Sequence, residues 1–185
     1  MNEKETEIKV IPVVALIAVF IVGLLTFALA NASDITPQNI ESAVNNERVS
    51  RGLSPLKISP ELQNAAVSKS TDMVLKNYFD HYAFGQTPWM FILKSGYNYS
   101  VAGENLAKGF STSEGVVNAW MNSPAHRENI LNPDYQDIGV GVVKGSYSEN
   151  GQTLQTILTT EMAAKPKSTI SKIFESISTI FSNIF

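Results

Sequence analysis

The stretch AWMNSPAHRENIL, residues 119–131, decides the fold because it joins two predicted helices through a single Ser-Pro step. A helix starts readily at a Pro, whose missing N–H costs little in the first turn. The step Ser123-Pro124 therefore starts one helix and ends the preceding one, which the apolar spacing places at residues 113–122. His126 then lies in the first turn of the second, shorter helix.

The same signal, a Ser or Thr followed by Pro, precedes three further predicted helices, at residues 37–50, 60–77 and 89–95. Segments rich in β-branched residues predict strands. These segments are residues 97–102, 138–143 and 153–162, and residues 145–151 join the last two. Because the helices come first and the last two strands are neighbours in sequence, the pattern predicts an α+β layered domain.

Composition limits the class of protein. The chain has 185 residues, enough for one domain with appendages but not for two full domains. It has no Cys, which excludes disulfides, a thiolate nucleophile, a CxxC redox pair and sulfur-ligated zinc. With 14 Lys and Arg against 17 Asp and Glu, the net charge of −3 argues against a nucleic-acid-binding surface.

The N-terminal residues indicate a membrane anchor. Residues 10–30 carry no charge and would form a helix about 30 Å long, the thickness of a bilayer core. Lys4 and Lys9 precede this run, so the positive-inside rule predicts a single-pass protein with residues 1–9 in the cytoplasm and the rest extracellular. The alternative is a signal peptide that is cleaved near Ala30, which would leave a secreted protein. A short polar linker follows at residues 31–35.

A second appendage is predicted at the C-terminus. Residues 165–167, Lys-Pro-Lys, predict a linker, and residues 168–185 are predicted to form an amphipathic helix whose other face is mostly Ser and Thr. This helix is too short and too polar to span a bilayer. We expect it to contact a membrane surface, to dock on the domain or self-associate, or to bind another protein. Its apolar residues are Ile170, Ile173, Phe174, Ile177, Ile180, Phe181, Ile184 and Phe185.

Few residues can support chemistry near neutral pH. The chain has two His, His81 after the second predicted helix and His126 in the fifth, while Glu104 follows a predicted strand where Gly103 lets the backbone bend. Two His and one Glu can hold zinc with a fourth position open, which is the ligand set of some hydrolytic zinc sites. Alternatively, each His simply hydrogen-bonds its own loop. The sequence contains no HExxH, GxSxG or phosphate-binding motif that would favour another enzyme class.

Five blocks of sequence belong together: NER at 46–48, YFDH at 78–81, AGENLA at 102–107, AWMNSPAHRENIL at 119–131 and IGVG at 138–141. In this order they resemble the CAP superfamily, the SCP-domain family of cysteine-rich secretory proteins, antigen 5 and pathogenesis-related 1 proteins. The resemblance is closest to the Cys-free prokaryotic branch of that family.

The resemblance implies a three-layer α-β-α sandwich with a central antiparallel sheet over residues 36–164, and a cleft lined by His81, Glu104 and His126. Members of the family mostly have extracellular roles, and enzymatic activity is not general to them. We therefore expect an extracellular binding module for a small ligand, a lipid or a cell-envelope component. The alternatives are a hydrolase that uses the same three residues with a divalent metal such as zinc, and a structural protein that associates with membranes through its C-terminal helix.

One further motif matches the family, and two residues differ from the family's sequence pattern. Asn46 and Arg48 match a family motif that ties the first helix to the rest of the fold. Many eukaryotic members have a second Glu shortly after the helix Trp, but none follows Trp120 here, which weakens the metal hypothesis. Ala125 stands where the family has a Gly before the second His, which is a mild change.

Overall fold

The computed structural model describes residues 35–168 together with Ile173 and Ile177. The predicted cytoplasmic segment, the predicted membrane anchor and most of the predicted linker after it lie outside the described residues, as does most of the predicted C-terminal helix. Ile173 and Ile177 are helical and about half exposed, at 53% and 45%. Within the described residues, no helix combines the length and the apolar character that crossing a membrane requires.

Five helices lie between residues 35 and 168, close to where the sequence predicts them. The Thr36 side chain accepts a hydrogen bond from the Asn39 amide, and that of Ser59 accepts one from the Leu62 amide. Each therefore caps the helix that starts at the following Pro. The helices are α1 (Pro37–Val49), α2 (Pro60–Lys76), α3 (Pro88–Lys94), α4 (Ser113–Asn122) and α5 (Pro124–Ile130).

The described residues also form one four-stranded sheet. Its strands are β1 (Lys57–Ile58), β2 (Tyr99–Lys108), β3 (Asp137–Glu149) and β4 (Gln152–Pro166). Their order in the sheet is β1-β3-β4-β2. As expected for an antiparallel sheet, β3 pairs with β4 and β4 with β2 in antiparallel fashion, but β1, a short strand that the sequence did not predict, pairs in parallel with β3.

The three predicted strands are longer than the sequence indicated. β3 and β4 meet at the two-residue turn Asn150-Gly151, where both residues have positive φ, so residues 145–149 are strand and not loop. β4 ends at Pro166 and so includes two of the three residues of the predicted linker.

Helices cover both faces of the sheet because side chains alternate along β3. Ile138 and Val140 belong to a core that is shared with α1, α4 and α5. On the opposite face of β3, a Cβ at Gly139 or Gly141 would overlap backbone atoms of α2. The backbone of the strand therefore packs directly against the backbone of that helix. α3 packs against α2. The predicted three-layer α-β-α arrangement is therefore confirmed for the described residues.

A carboxyl group is buried where α1 packs on β3. Glu41 is only 2% exposed, and its Oε1 has no hydrogen-bond partner among the described residues. Burial raises the pKa of this carboxyl from its ordinary value of 4.5 to about 6. Above that pH the folded protein holds an incompletely paired negative charge in its interior.

We expect Glu41→Gln to stabilise the protein above this pKa, by up to about 2 kcal/mol in the free energy of unfolding. The folded state holds the proton more tightly than the unfolded state, so the stabilising contribution of protonated Glu41 is complete below pH 4.5 and is lost as the pH rises through about 6. Unfolding midpoints measured from about pH 4 to about pH 8 will fall more steeply in the wild type than in the variant, which keeps only the pH dependence of the other titratable groups.

The matched control is Glu47→Gln, which changes a partly exposed Glu on the same helix and should follow the wild-type pH dependence. Wild type and Glu41→Gln losing stability in parallel over this pH range would contradict the role assigned to the buried carboxyl.

Candidate functional site

Glu104 lies in the middle of β2, so the prediction that it follows the end of a strand is wrong. It pairs with Met162 of β4 and is 4% exposed. The strand continues through Gly103, whose missing side chain leaves room for the side chains of Tyr135 and Asn129. Gly103 therefore allows α5 and the segment that follows it to approach the strand beside Glu104.

His81 reaches Glu104 from the loop after α2. Its Nδ1 lies 2.7 Å from Glu104 Oε1, and the His81 side chain is 41% exposed while that of Glu104 is 1% exposed. Glu104 Oε2 is buried and has no hydrogen-bond partner among the described residues. The pair therefore joins a solvent-accessible imidazole to a buried carboxylate.

His126 is placed next to this pair by α5, which two Asn side chains hold against β2. Asn105 is fully buried, and its Nδ2 donates to the His126 carbonyl at 3.2 Å. Asn129 Nδ2 donates to the Glu104 carbonyl at 3.1 Å and to Asn105 Oδ1 at 3.0 Å. Sequence reasoning gave neither Asn a role, although Asn105 stands directly after Glu104 and Asn129 three residues after His126.

The two His differ in their protonation. The hydrogen bond to Glu104 raises the pKa of His81, and partial burial opposes that rise. Burial raises the pKa of Glu104, while the hydrogen bond from His81 and the positive charge of Lys69 lower it. Burial lowers the pKa of His126, and the nearby charge of His81 lowers it further. His81 therefore holds a proton more readily than an ordinary His side chain, and His126 holds one less readily.

A groove of about 310 Å³ opens beside His126. Aromatic side chains form much of its wall, and the Trp120 indole is held in place because its N–H donates to the Leu106 carbonyl at 2.9 Å. Neither His81 nor Glu104 lines this space. We call it the His126 groove, and its lining consists of Phe79, Leu106, Ala107, Lys108, Phe110, Ala119, Trp120, Ser123 and His126.

The predicted zinc ligands His81, Glu104 and His126 are not assembled into a metal site. Among the described residues, no group of three His, Asp or Glu side chains is placed so that it could hold one metal ion. The Nδ1 of His81 is hydrogen-bonded to Glu104 Oε1, so its Nε2 is the ring nitrogen left for another partner. The arrangement present is a hydrogen bond between His81 and Glu104, with His126 nearby.

Arg48 and Asn46, the two residues assigned to a structural motif, differ in their surroundings. Arg48 is 1% exposed and donates through its guanidinium to the carbonyls of Ile130 and Asn132, both at 2.8 Å. The Asn46 side chain is exposed. Its neighbour Asn45 makes the connection instead, with hydrogen bonds of 3.0 Å and 2.7 Å to the Leu56 carbonyl and amide. Arg48 and Asn45 therefore connect α1 to the loop after it and to the end of α5.

Comparison with known proteins agrees with this architecture. The model of the cysteine-rich secretory protein family, CAP, matches residues 41–160. The protein YkwD of Bacillus subtilis is 48% identical over 109 residues, which cover 58% of this chain and 42% of YkwD. The matched region thus spans less than half the length of that relative.

Two solved structures share the fold. One is an extracellular protein containing an SCP domain from Bacillus anthracis, with a TM-score of 0.60, 25% identity, and coverage of 70% of this chain and 40% of that one. The other is an outer surface protein from Borrelia burgdorferi, with a TM-score of 0.59, 27% identity, and coverage of 69% of this chain and 90% of that one.

Proposed function

Because this chain belongs to the cysteine-rich secretory protein (CAP) family, we propose that it is an exported, membrane-tethered module that binds an amphiphilic component of the cell envelope. Export and tethering rest on the uncharged N-terminal stretch at residues 10–30, with Lys4 and Lys9 before it. The similar structures from Bacillus anthracis and Borrelia burgdorferi are described as an extracellular and an outer surface protein. Both descriptions favour the same location for this domain.

The observation that carries the binding proposal is the composition of the His126 groove. Its volume of about 310 Å³ is at the lower end of the range for small-molecule sites. The rings of Phe79, Phe110 and Trp120 offer an apolar wall, whereas His126 and Lys108 offer polar groups at its boundary. A ligand with an apolar chain and one polar or anionic head fits this division.

In this proposal the polar end of such a ligand lies at His126, near the His81–Glu104 pair. His126 shares the site with His81, whose charge lowers the His126 pKa. A neutral His126 can accept a hydrogen bond from a head group or donate one to it, whereas the Lys108 ammonium lies 2.8 Å from Glu149 Oε2 and attracts an anion only in competition with that carboxylate. We infer that the aromatic walls limit the length of the acyl chain and that His126 is the main group that selects the head group.

A substitution that fills the groove tests this proposal. We expect Ala119→Leu to weaken binding of a dansyl-labelled undecanoate by at least about tenfold, because added methyl groups take up the space of the acyl chain. The full chain is reconstituted in nanodiscs of uncharged phospholipid, and binding is measured by energy transfer from tryptophan to the dansyl group. The bilayer takes up the same share of the probe in every sample. Differences in energy transfer between variants therefore report binding in the groove.

Asn118→Leu is the matched control, because it adds the same side chain to an exposed position of α4. Its affinity should stay within about twofold of the wild type. Equal affinities for Ala119→Leu and Asn118→Leu, or saturable binding by neither the wild type nor the variants, would refute a groove that holds an acyl chain.

A further inference from the structure

A charged residue occupies a core position of α2. Lys69 is 0% exposed and belongs to the same buried side of the helix as Leu62, Ala66 and Met73. Burying an ammonium group costs several kcal/mol unless hydrogen bonds and opposite charges compensate it. The partners of Lys69 therefore indicate what the residue does.

Those partners belong to the loop that carries His81. Lys69 Nζ donates to the carbonyls of Asp80 and His81, at 2.8 Å and 3.0 Å, and lies 3.4 Å from Tyr78 Oη. The ammonium also lies 4.9 Å from the ring centroid of Tyr78 and 5.5 Å from that of Phe91. One buried cation thus contacts the Tyr78 ring and two backbone carbonyls of the loop.

The far side of the loop is also fixed. Tyr78 Oη donates to Asp72 Oδ2 at 2.7 Å, and Asp72 pairs with Lys76 at 2.7 Å on the same helix. Beyond His81, the Tyr82 amide donates to the Asp80 side chain at 3.0 Å. These contacts order the two ends of the segment, while Lys69 alone among the described residues binds its central carbonyls.

We propose that Lys69 is the positioning residue of the His81–Glu104 pair. By holding the His81 carbonyl, it fixes the backbone from which the imidazole reaches Glu104, and its positive charge offsets that of the buried carboxylate. A Met would fill the same space without the cost of burying a charge, so packing does not account for a Lys at this position. What the ammonium adds is the set of hydrogen bonds to the loop. Any effect of Lys69 on ligand binding rests on the function proposed above, but its positioning of His81 does not.

The test compares Lys69→Met with Lys57→Met in the ligand-free full chain in detergent micelles. In Lys69→Met we expect the imidazole ¹⁵N pattern of a His that shares its Nδ1 proton with a carboxylate to be lost from His81. We also expect amide hydrogen exchange at Tyr82 and Ala83 to accelerate at least about tenfold. Lys57→Met removes an exposed ammonium from β1, at the opposite edge of the sheet from β2, and should leave both measurements within about twofold of the wild type.

Two outcomes overturn the proposal. One is a folded Lys69→Met protein that keeps the wild-type His81 signature and the wild-type exchange rates. The other comes from the wild type alone and decides the question if Lys69→Met does not fold. In the wild type, the NMR signal of the Lys69 ammonium should persist under conditions in which the Lys76 signal is lost to exchange with water. Equal loss of both signals would show that the Lys69 ammonium is not held by the loop carbonyls. Because no lipid is present, a failure here is distinguishable from a failure of the groove proposal.

Discussion

Replacing Gly141 with alanine is expected to lower the free energy of unfolding by about 3 kcal/mol or more, which corresponds to a fall in Tm of about 10 °C or more. A Cβ on Gly141 would overlap the carbonyl carbon and oxygen of Ala66 and the amide nitrogen of Val67. These are backbone atoms inside α2, so relief requires the helix to move away from the sheet. Circular dichroism of the full chain during heating measures the effect.

Gly145→Ala is the matched control on the same strand. Its Cβ would meet only the side chain of Val74, which can rotate or shift at the end of α2. We expect a cost of about 1 kcal/mol. If both substitutions lowered the Tm equally, the direct contact between strand and helix backbone would not be the origin of the stability.

These glycines also explain why the strands were predicted too short. Gly103 and Gly145 resemble breaks in a β pattern, since glycine lacks a side chain to pack and weakens an isolated strand. In the folded protein they are sites of close approach, where α2, Tyr135 or Asn129 occupies the space of the missing side chain. A single sequence shows where the Cβ is absent but not which element takes its place.

The helices were predictable because their signals are local. A Ser or Thr followed by Pro supplies a cap and a fixed first residue within one turn, and α1 and α2 begin where that signal stands. The short β1 lacked any such signal, because two residues acquire strand geometry only by pairing with β3, which is distant in sequence. Family membership and the layered fold followed from the order of the five sequence blocks, and both are confirmed.

The candidate site was predictable only in part. The resemblance identified His81, Glu104 and His126, but the separation of 45 residues between the two His contains no information on whether their side chains meet. Lys69 was overlooked, although its position in the apolar stripe of α2, four residues after Ala65, was visible in the sequence. A charge at a core position marks a buried interaction, and only the folded structure shows that its partners are the carbonyls of Asp80 and His81.

Arg48→Ala is the second substitution for which we expect a large effect, a loss of about 3 to 5 kcal/mol in the free energy of unfolding. The Arg48 guanidinium donates to the carbonyl of Ser54 at 3.0 Å and to those of Ile130 and Asn132 at 2.8 Å. Its removal leaves three carbonyls without this donor at the junction of α1, the loop after it and the end of α5. Heating the full chain and following circular dichroism gives the loss of stability.

Arg48→Ala should also affect the His126 groove, because Arg48 holds the C-terminal end of the helix that carries His126. In a variant that still folds, we expect the dansyl probe to bind more weakly, since α5 is then held mainly by Asn105 and Asn129. Arg51→Ala, which removes an exposed ion pair with Glu47, should change stability by less than about 0.5 kcal/mol. A loss for Arg48→Ala no larger than that of Arg51→Ala would show that the fold does not depend on this buried guanidinium, and that α5 is fixed from the sheet side alone.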